Sequence, residues 1–169
     1  MRITTMLTDR QVSFEQLPHP PAFSAQKRAK YLRVSGSRVA KSVLLHGPEG
    51  FLVAILPASY RIDTVELGRA LGGPVRLATS KEIRTIFPDC EWGVVPPFSR
   101  LYGLPTILDD SFPPEDWIVF ETHTHMTSIR LRCEDFERLE QPRRVAFTQP
   151  VEGCCRPIAA PSHARSVAE

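Results

Sequence analysis

Short apolar runs, cut at close intervals by proline and glycine, set the rhythm of this chain. Residues 2–11 are compatible with a short helix, and Val12–Leu17 reads as a first strand. The PHPP at 18–21 breaks that strand, and Ser24 offers an N-cap for a helix over Ala25–Leu32. Val39–Leu45 and Phe51–Leu56 are apolar and β-branched, with the turn residues HGPEG between them, which predicts a hairpin. Asp63 can cap a helix over Thr64–Leu71 that Gly72 and Gly73 stop. Val75–Ala78 follows as a short strand. Thr79 and Glu82 then have the spacing of a capping box for a helix reaching Phe87.

Residues 87–105, FPDCEWGVVPPFSRLYGLP, hold four prolines and two glycines and show no amphipathic period. An irregular stretch of that length inside a compact domain is uncommon and usually functional. Strands are expected near Thr106–Leu108, Trp117–Thr122, Ser128–Leu131 and Val145–Phe147, with a helix over about Glu134–Leu139. This order gives a mixed sheet with helices outside it, an α+β fold. One domain over residues 1–149 with an appended tail at 150–169 is the simplest division of 169 residues.

Composition narrows the function classes. A formal charge of +2 does not announce a nucleic-acid binder, and no apolar run approaches the roughly 20 residues of a spanning helix. The N-terminus lacks the apolar core of a signal peptide, so the cytoplasm is the expected compartment. Cys90, Cys133, Cys154 and Cys155 form no CxxC pair and read as thiols in a reducing compartment. Mapping the charge is more informative: no acidic residue lies between Glu15 and Glu49, where Lys27, Arg28, Lys30, Arg33, Arg38 and Lys41 fall. Such a segment is either a solvated helix face or a local surface for phosphates.

Three features carry candidate chemistry. Lys41 stands inside an apolar strand, sharing one face with Val39 and Val43; it is an edge residue reaching solvent or a cleft residue able to hold an oxygen as that oxygen gains charge. The GVVPPFS segment is stiff and leaves backbone N–H groups for a ligand, unless it is only a rigid surface loop. His123 and His125, two apart in FETHTH, would share one face if that stretch is a strand. A metal site would need a third ligand, for which Asp109 and Asp110 are unspecific candidates, and no HExxH or CxxC assists. No GxSxG elbow supports a serine triad.

Taken together, HPPAFSAQKRA, RVAKSVLL, LVAILPASYRID, FPDCEWGVVPPFSRLYGLPTILDD and FETHTHMTSIRLRCEDFERL resemble the YbaK/prolyl-tRNA synthetase-associated domain family, over about residues 10–148. The resemblance implies a curved, partly barrel-like mixed sheet flanked by helices, and a deacylase that hydrolyses the ester of mischarged aminoacyl-tRNA carrying a small amino acid, with no metal and no cofactor. It implies that Lys41 positions the terminal adenosine and acyl ester and that His125 is the motif histidine. Gly93, Pro96, Pro97 and Phe98 would shape the aminoacyl pocket, His19 and Ser24 would border it, and Asp109 would match an aspartate after the loop. The implied partner is the acceptor end of aminoacyl-tRNA, with Lys27, Arg28, Lys30, Arg33 and Arg38 on its phosphates. Transient association with an aminoacyl-tRNA synthetase fits the same picture; DNA sequence recognition and a membrane do not.

Two positions depart from the family pattern. Ser99 stands where PPFG has its glycine, and His123 stands where Gly-Thr-His has its glycine. Both add a side chain where none is usual, beside the substrate in the family's arrangement. Alternative functions are a catalytically silent relative that binds tRNA or a nucleotide, and a metal hydrolase built on His123 and His125.

Overall fold

A computed structural model describes residues 2–151. Of the expected tail, residues 152–169, with Cys154, Cys155 and His163, lie outside the described residues. Helix α1 (Arg2–Asp9) buries Ile3 and Leu7, and β1 (Glu15–Pro18) follows. Helix α2 (Ala25–Leu32) starts where the sequence places it: Ser24 is extended at φ −147° and accepts from the Lys27 amide. β2 (Ala40–Gly47) and β3 (Gly50–Pro57) form the expected hairpin, joined through Pro48 and Glu49 with Gly47 opposite Gly50. Gly50 adopts φ +116°, a conformation that β-carbon-bearing residues rarely reach.

Next come β4 (Tyr60–Ile62), α3 (Thr64–Leu71), β5 (Arg76–Leu77) and α4 (Ser80–Ile86). Asp63 accepts from the Val65 and Glu66 amides, and Thr79 with Glu82 closes a reciprocal capping box. The proline-rich stretch stays irregular except for a 3-10 turn at Ser99–Tyr102. β6 (Thr106–Asp109), β7 (Trp117–Glu121), β8 (Thr127–Arg132), α5 (Cys133–Glu140), β9 (Arg143–Val145) and β10 (Thr148–Pro150) complete the order.

The strands make a five-stranded mixed sheet in the order β5-β2-β3-β6-β9, a three-stranded antiparallel sheet β1-β8-β7, and a pair β10-β4. β3–β6 and β6–β9 are parallel; the other ladders are antiparallel. These ladders do not close into a barrel. The two larger sheets meet at a single parallel bridge, Val39 to Val119, where the Val119 amide donates to the Arg38 carbonyl at 2.9 Å.

That bridge sorts the side chains. Ala40 and Leu44 of β2, Ile118 and Phe120 of β7, and Ile129 and Leu131 of β8 share the main core with Phe98 and Phe136. The rings of Phe98, Phe120 and Phe136 stand 4.7–6.4 Å apart, and each fully buried ring contributes on the order of 2–3 kcal/mol. On the opposite side, Val39 and Val119 pack under Ala25 and Ala29 of α2. A separate cluster, including Leu45, Leu56, Leu67 and Phe147, lies under α3.

Two expectations change. β4 and β10 were not expected as strands, and they pair Tyr60 with Pro150 and Ile62 with Thr148. FETHTH is not continuous strand: β7 ends at Glu121, and residues 122–126 form the turn into β8. Cys90 and Cys133 are buried thiols. Among the described residues, no helix is long and apolar enough to cross a membrane.

Candidate active site

The bridge also fixes which polar side chains meet. Bridge partners point to the same side of a sheet, and alternation carries that side two residues onward. Val39 and Val119 are partners, so Lys41 of β2 and Glu121 of β7 emerge on the face covered by α2. Ser128 pairs with Glu121 across β7–β8 and shares that face. Glu121 and Ser128 are thus neighbours, and Lys41 stands on the same face with a partner of its own, the Tyr60 carbonyl.

One carboxylate oxygen of Glu121 takes the guanidinium of Arg28, whose side chain is only 2% exposed, and Nδ1 of His125 at 3.0 Å. His125 is held from every side: its amide donates to Glu91 at 2.7 Å, Nε2 lies 2.9 Å from the Trp92 carbonyl, and its ring lies 4.8 Å from that of Phe23. His19 is buried beside it. Its Nδ1 faces the Pro20 carbonyl, an acceptor only, so Nδ1 carries the proton and Nε2 accepts from the Ser128 hydroxyl at 2.9 Å. The His125 carbonyl accepts from the Ala22 amide, which ties the segment before α2 to this turn.

Lys41 is half-buried, and Nζ donates to the Tyr60 carbonyl. Burial without a facing carboxylate pushes its pKa below the ordinary lysine value. An ammonium has three donors, so the Tyr60 bond orients the group and leaves two N–H bonds for a ligand oxygen. Lys41 is thus an oriented cation in a partly dry setting, and the apolar reading of its strand is satisfied without placing it at an open edge.

The two histidines of FETHTH diverge because the chain turns between them. His123 is buried, and its Nε2 stands 3.8 Å from the Asp89 carboxylate, while its carbonyl accepts from the Glu91 amide at 2.8 Å. His125 faces Glu121 and Trp92 instead. The shared face from which a two-histidine metal site would start is absent, and among the described residues no three His, Cys, Asp or Glu side chains gather as a metal-holding group.

The proline-rich loop divides in two. Glu91–Val94 is a turn closed by a 3.1 Å bond from the Val94 amide to the Glu91 carbonyl, with Gly93 at φ +83° and exposed. This half clamps His125. Residues Val94 to Ser99 then run into the protein; Pro96 and Pro97 are buried, and Phe98 belongs to the main core on the other face. Ser99 also lies away from the lysine. Its hydroxyl donates to the Glu140 carboxylate at 3.0 Å and bonds Thr106. Neither Ser99 nor His123 has a positive φ, so each side chain fits its backbone without left-handed strain. Asp109, at the end of β6, bonds the Ser111 amide and hydroxyl and the Phe147 amide; it shapes the turn after the strand.

Among the basic residues, Lys27, Lys30 and Arg33 are exposed. Arg38 is half-exposed and paired with Asp116 at 3.1 Å. Arg28 does not belong with them: it is spent on Glu121 inside the protein, so it is not a surface phosphate contact. Sequence reasoning missed Glu121, Ser128, Tyr60, Glu91 and Trp92 as participants. Glu121 had a signal, being the sole acidic residue between Asp116 and Glu134. The Tyr60 carbonyl had none, since any residue supplies one.

This fold and this sequence define an aminoacyl-tRNA editing domain, and the chain belongs to that family, whose model matches residues 19–139. The span takes in α2, Lys41, the proline-rich loop and the histidine turn. Among curated proteins, the chain is 25% identical over 152 residues to the multifunctional Ser/Thr-tRNA deacylase ProXp-y of Escherichia coli (strain K12), covering 86% of this chain and 90% of that protein. Several solved structures share the fold. One, described as a proposed trans-editing enzyme for prolyl tRNA synthetase, superposes with a TM-score of 0.72 at 24% identity, over 88% of this chain and 95% of the other. The hypothetical protein APE2540 gives 0.80 at 16% identity, over 88% and 100%.

Proposed function

We propose that this chain is an aminoacyl-tRNA deacylase that acts in trans, hydrolysing the ester of a mischarged tRNA that carries a small amino acid. The observation that supports it most is that Lys41 shares a sheet face under α2 with the Arg28–Glu121–His125 chain and the His19–Ser128 pair. The relative that acts on Ser/Thr-tRNA supports a small side chain.

The chemistry asks little of a nucleophile. Water adds to the ester carbonyl, the carbon–oxygen bond to the ribose breaks, and the ribose oxygen takes a proton, leaving free amino acid and a tRNA hydroxyl. The ester is already labile, so holding it beside a water molecule or the neighbouring 2′-OH supplies much of the acceleration. Lys41 stabilises the oxygen that gains charge at the carbonyl, its direction set by Tyr60. His125 fixes the 91–93 turn against β7 and so positions the backbone that borders the acyl group. No step calls on a metal. The exposed Lys27, Lys30, Arg33 and Arg38 meet acceptor-end phosphates. A cytoplasmic setting and a transient contact with an aminoacyl-tRNA synthetase belong to the same reading.

One observation favours a second reading, in which the chain binds tRNA or a nucleotide without hydrolysis: Lys41 and both ring nitrogens of His125 are already bonded within the protein. Deacylation of a panel of mischarged tRNAs, with an active family member in parallel, separates the two. Turnover that falls about 100- to 1000-fold in Lys41→Ala supports the deacylase. No turnover on any substrate, with binding lost in Lys41→Ala, establishes the silent binder.

A further inference from the structure

The polar group around His125 has an apolar rim that the hydrolytic reading leaves unused. Phe23 is 74% exposed and Trp92 is 65% exposed, the largest exposures among the described large hydrophobic residues. Both belong to His125: the Phe23 ring lies 4.8 Å from the imidazole, and Trp92 gives it a backbone carbonyl. The bonds of His125 to Glu91 and Trp92, and of its carbonyl to the Ala22 amide, tie the two segments that carry these rings to one turn. Phe23 stands just before Ser24, the N-cap of α2, whose outer face then carries Lys27, Lys30 and Tyr31, at helical spacings of three and four. The Lys27 ammonium sits over the Tyr31 ring, 5.5 Å from its centre. The segment between Glu15 and Glu49 contributes no acidic residue to this surface, and the acids next to His125, Glu91 and Glu121, are engaged with His125 and Arg28.

An aromatic pair next to a row of lysines suits unpaired nucleotides, whose bases stack on rings while phosphates meet ammonium groups. A protein partner would use the rings but gain nothing from an acid-free lysine face unless it were acidic, and a duplex would offer no exposed base to stack. We propose that Phe23 and Trp92 form a stacking clamp for the unpaired 3′-terminal bases of RNA, with Lys27 and Lys30 on the flanking phosphates. The inference rests on the tRNA-editing reading for its biological ligand, and it adds the residues that would hold the single-stranded end.

The test uses the two tryptophans of the chain. In Trp117→Phe, Trp92 is the sole tryptophan, and titration with the RNA tetranucleotide 5′-ACCA-3′ should quench its emission saturably. Phe23→Ala in that background should weaken binding by about 5- to 150-fold, the range for loss of one stacked base. A Lys27→Ala/Lys30→Ala pair should flatten the salt dependence by roughly 1.4 in log–log slope. A blunt RNA duplex of the same sequence should not quench. Absence of quenching, or unchanged affinity in Phe23→Ala, overturns the clamp, as does equal quenching by the duplex. Hydrolysis is read separately: in Trp92→Ala, which keeps the backbone carbonyl to His125, the clamp predicts a raised KM for aminoacyl-tRNA with little change in kcat. Turnover with KM unmoved in both Phe23→Ala and Trp92→Ala defeats the clamp and leaves the deacylase standing. Stacking without any turnover defeats the deacylase and leaves the clamp standing.

Discussion

Removing the Glu121 carboxylate strands the Arg28 guanidinium inside the protein. Arg28 is 2% exposed, Glu121 is the carboxylate that pairs with it, and the Arg28 Nε already lacks a hydrogen-bond partner. Breaking one side of such a buried pair typically costs about 3–5 kcal/mol, because the remaining charge has neither water nor a counter-ion. For a chain of this size each kcal/mol lowers Tm by roughly 2–4 °C, so Glu121→Ala should melt on the order of 10 °C below the wild type. The internal control is Glu66→Ala, which breaks the solvent-exposed Arg69–Glu66 pair and should cost at most about 1 kcal/mol. Glu121→Gln, which keeps the shape and an acceptor oxygen, should fall between them. The double variant Arg28→Met/Glu121→Leu removes both charges and should recover most of the loss, since apolar replacement of a buried pair is often neutral. Differential scanning calorimetry of the four variants gives the answer. A Glu121→Ala shift no larger than that of Glu66→Ala would show that Arg28 is solvated or otherwise paired, and the account of the site's foundation would fail.

Glu140 is buried among Ser99, Thr106 and the Arg100 amide, and burial raises its pKa despite those donors. A raised carboxyl pKa means the folded state holds the proton longer, so its stabilisation is complete below about pH 4.5 and is lost as pH rises through the folded value. Urea melts across that range should therefore show the wild type losing stability relative to Glu140→Gln as pH rises; parallel curves would contradict the burial effect. Lys41 has the opposite sign relation: its pKa is lowered by burial, so stability relative to Lys41→Met should grow as pH rises toward about 10.5, measurable by the same melts. Gly93→Ala should cost about 1 kcal/mol from φ +83° alone, because nothing stands within 4 Å of an added β-carbon; an unchanged Tm would mean the turn relaxes freely.

Local signals in the sequence predicted local structure well. Ser24, Asp63 and Thr79 each cap a helix by hydrogen bonds that only their side chains can make, and the β2–β3 hairpin follows from its turn residues. What escaped depends on partners distant along the chain. Arg28 reads as a surface cation until Glu121, 93 positions away, is folded against it. Ser99 reads as a pocket residue until Glu140 reaches it from α5. FETHTH reads as strand because threonine and phenylalanine favour one, but the hairpin must turn somewhere, and the Thr122 amide closes the turn on the Thr127 carbonyl. β4 and β10 are three residues each and carry too little pattern to announce themselves.

The pairing of β10 with β4 couples two places that look unrelated along the chain. Pro150 lies opposite Tyr60, and the Val151 amide donates to the Ser59 carbonyl at 3.0 Å. Tyr60 is the residue whose carbonyl aims Lys41. The strand that ends the described residues therefore pairs with the strand whose carbonyl holds the lysine, and a domain cut at residue 149 removes Pro150, the residue opposite Tyr60. The C-terminal junction thus lies one ladder pairing away from the carbonyl that orients the Lys41 ammonium.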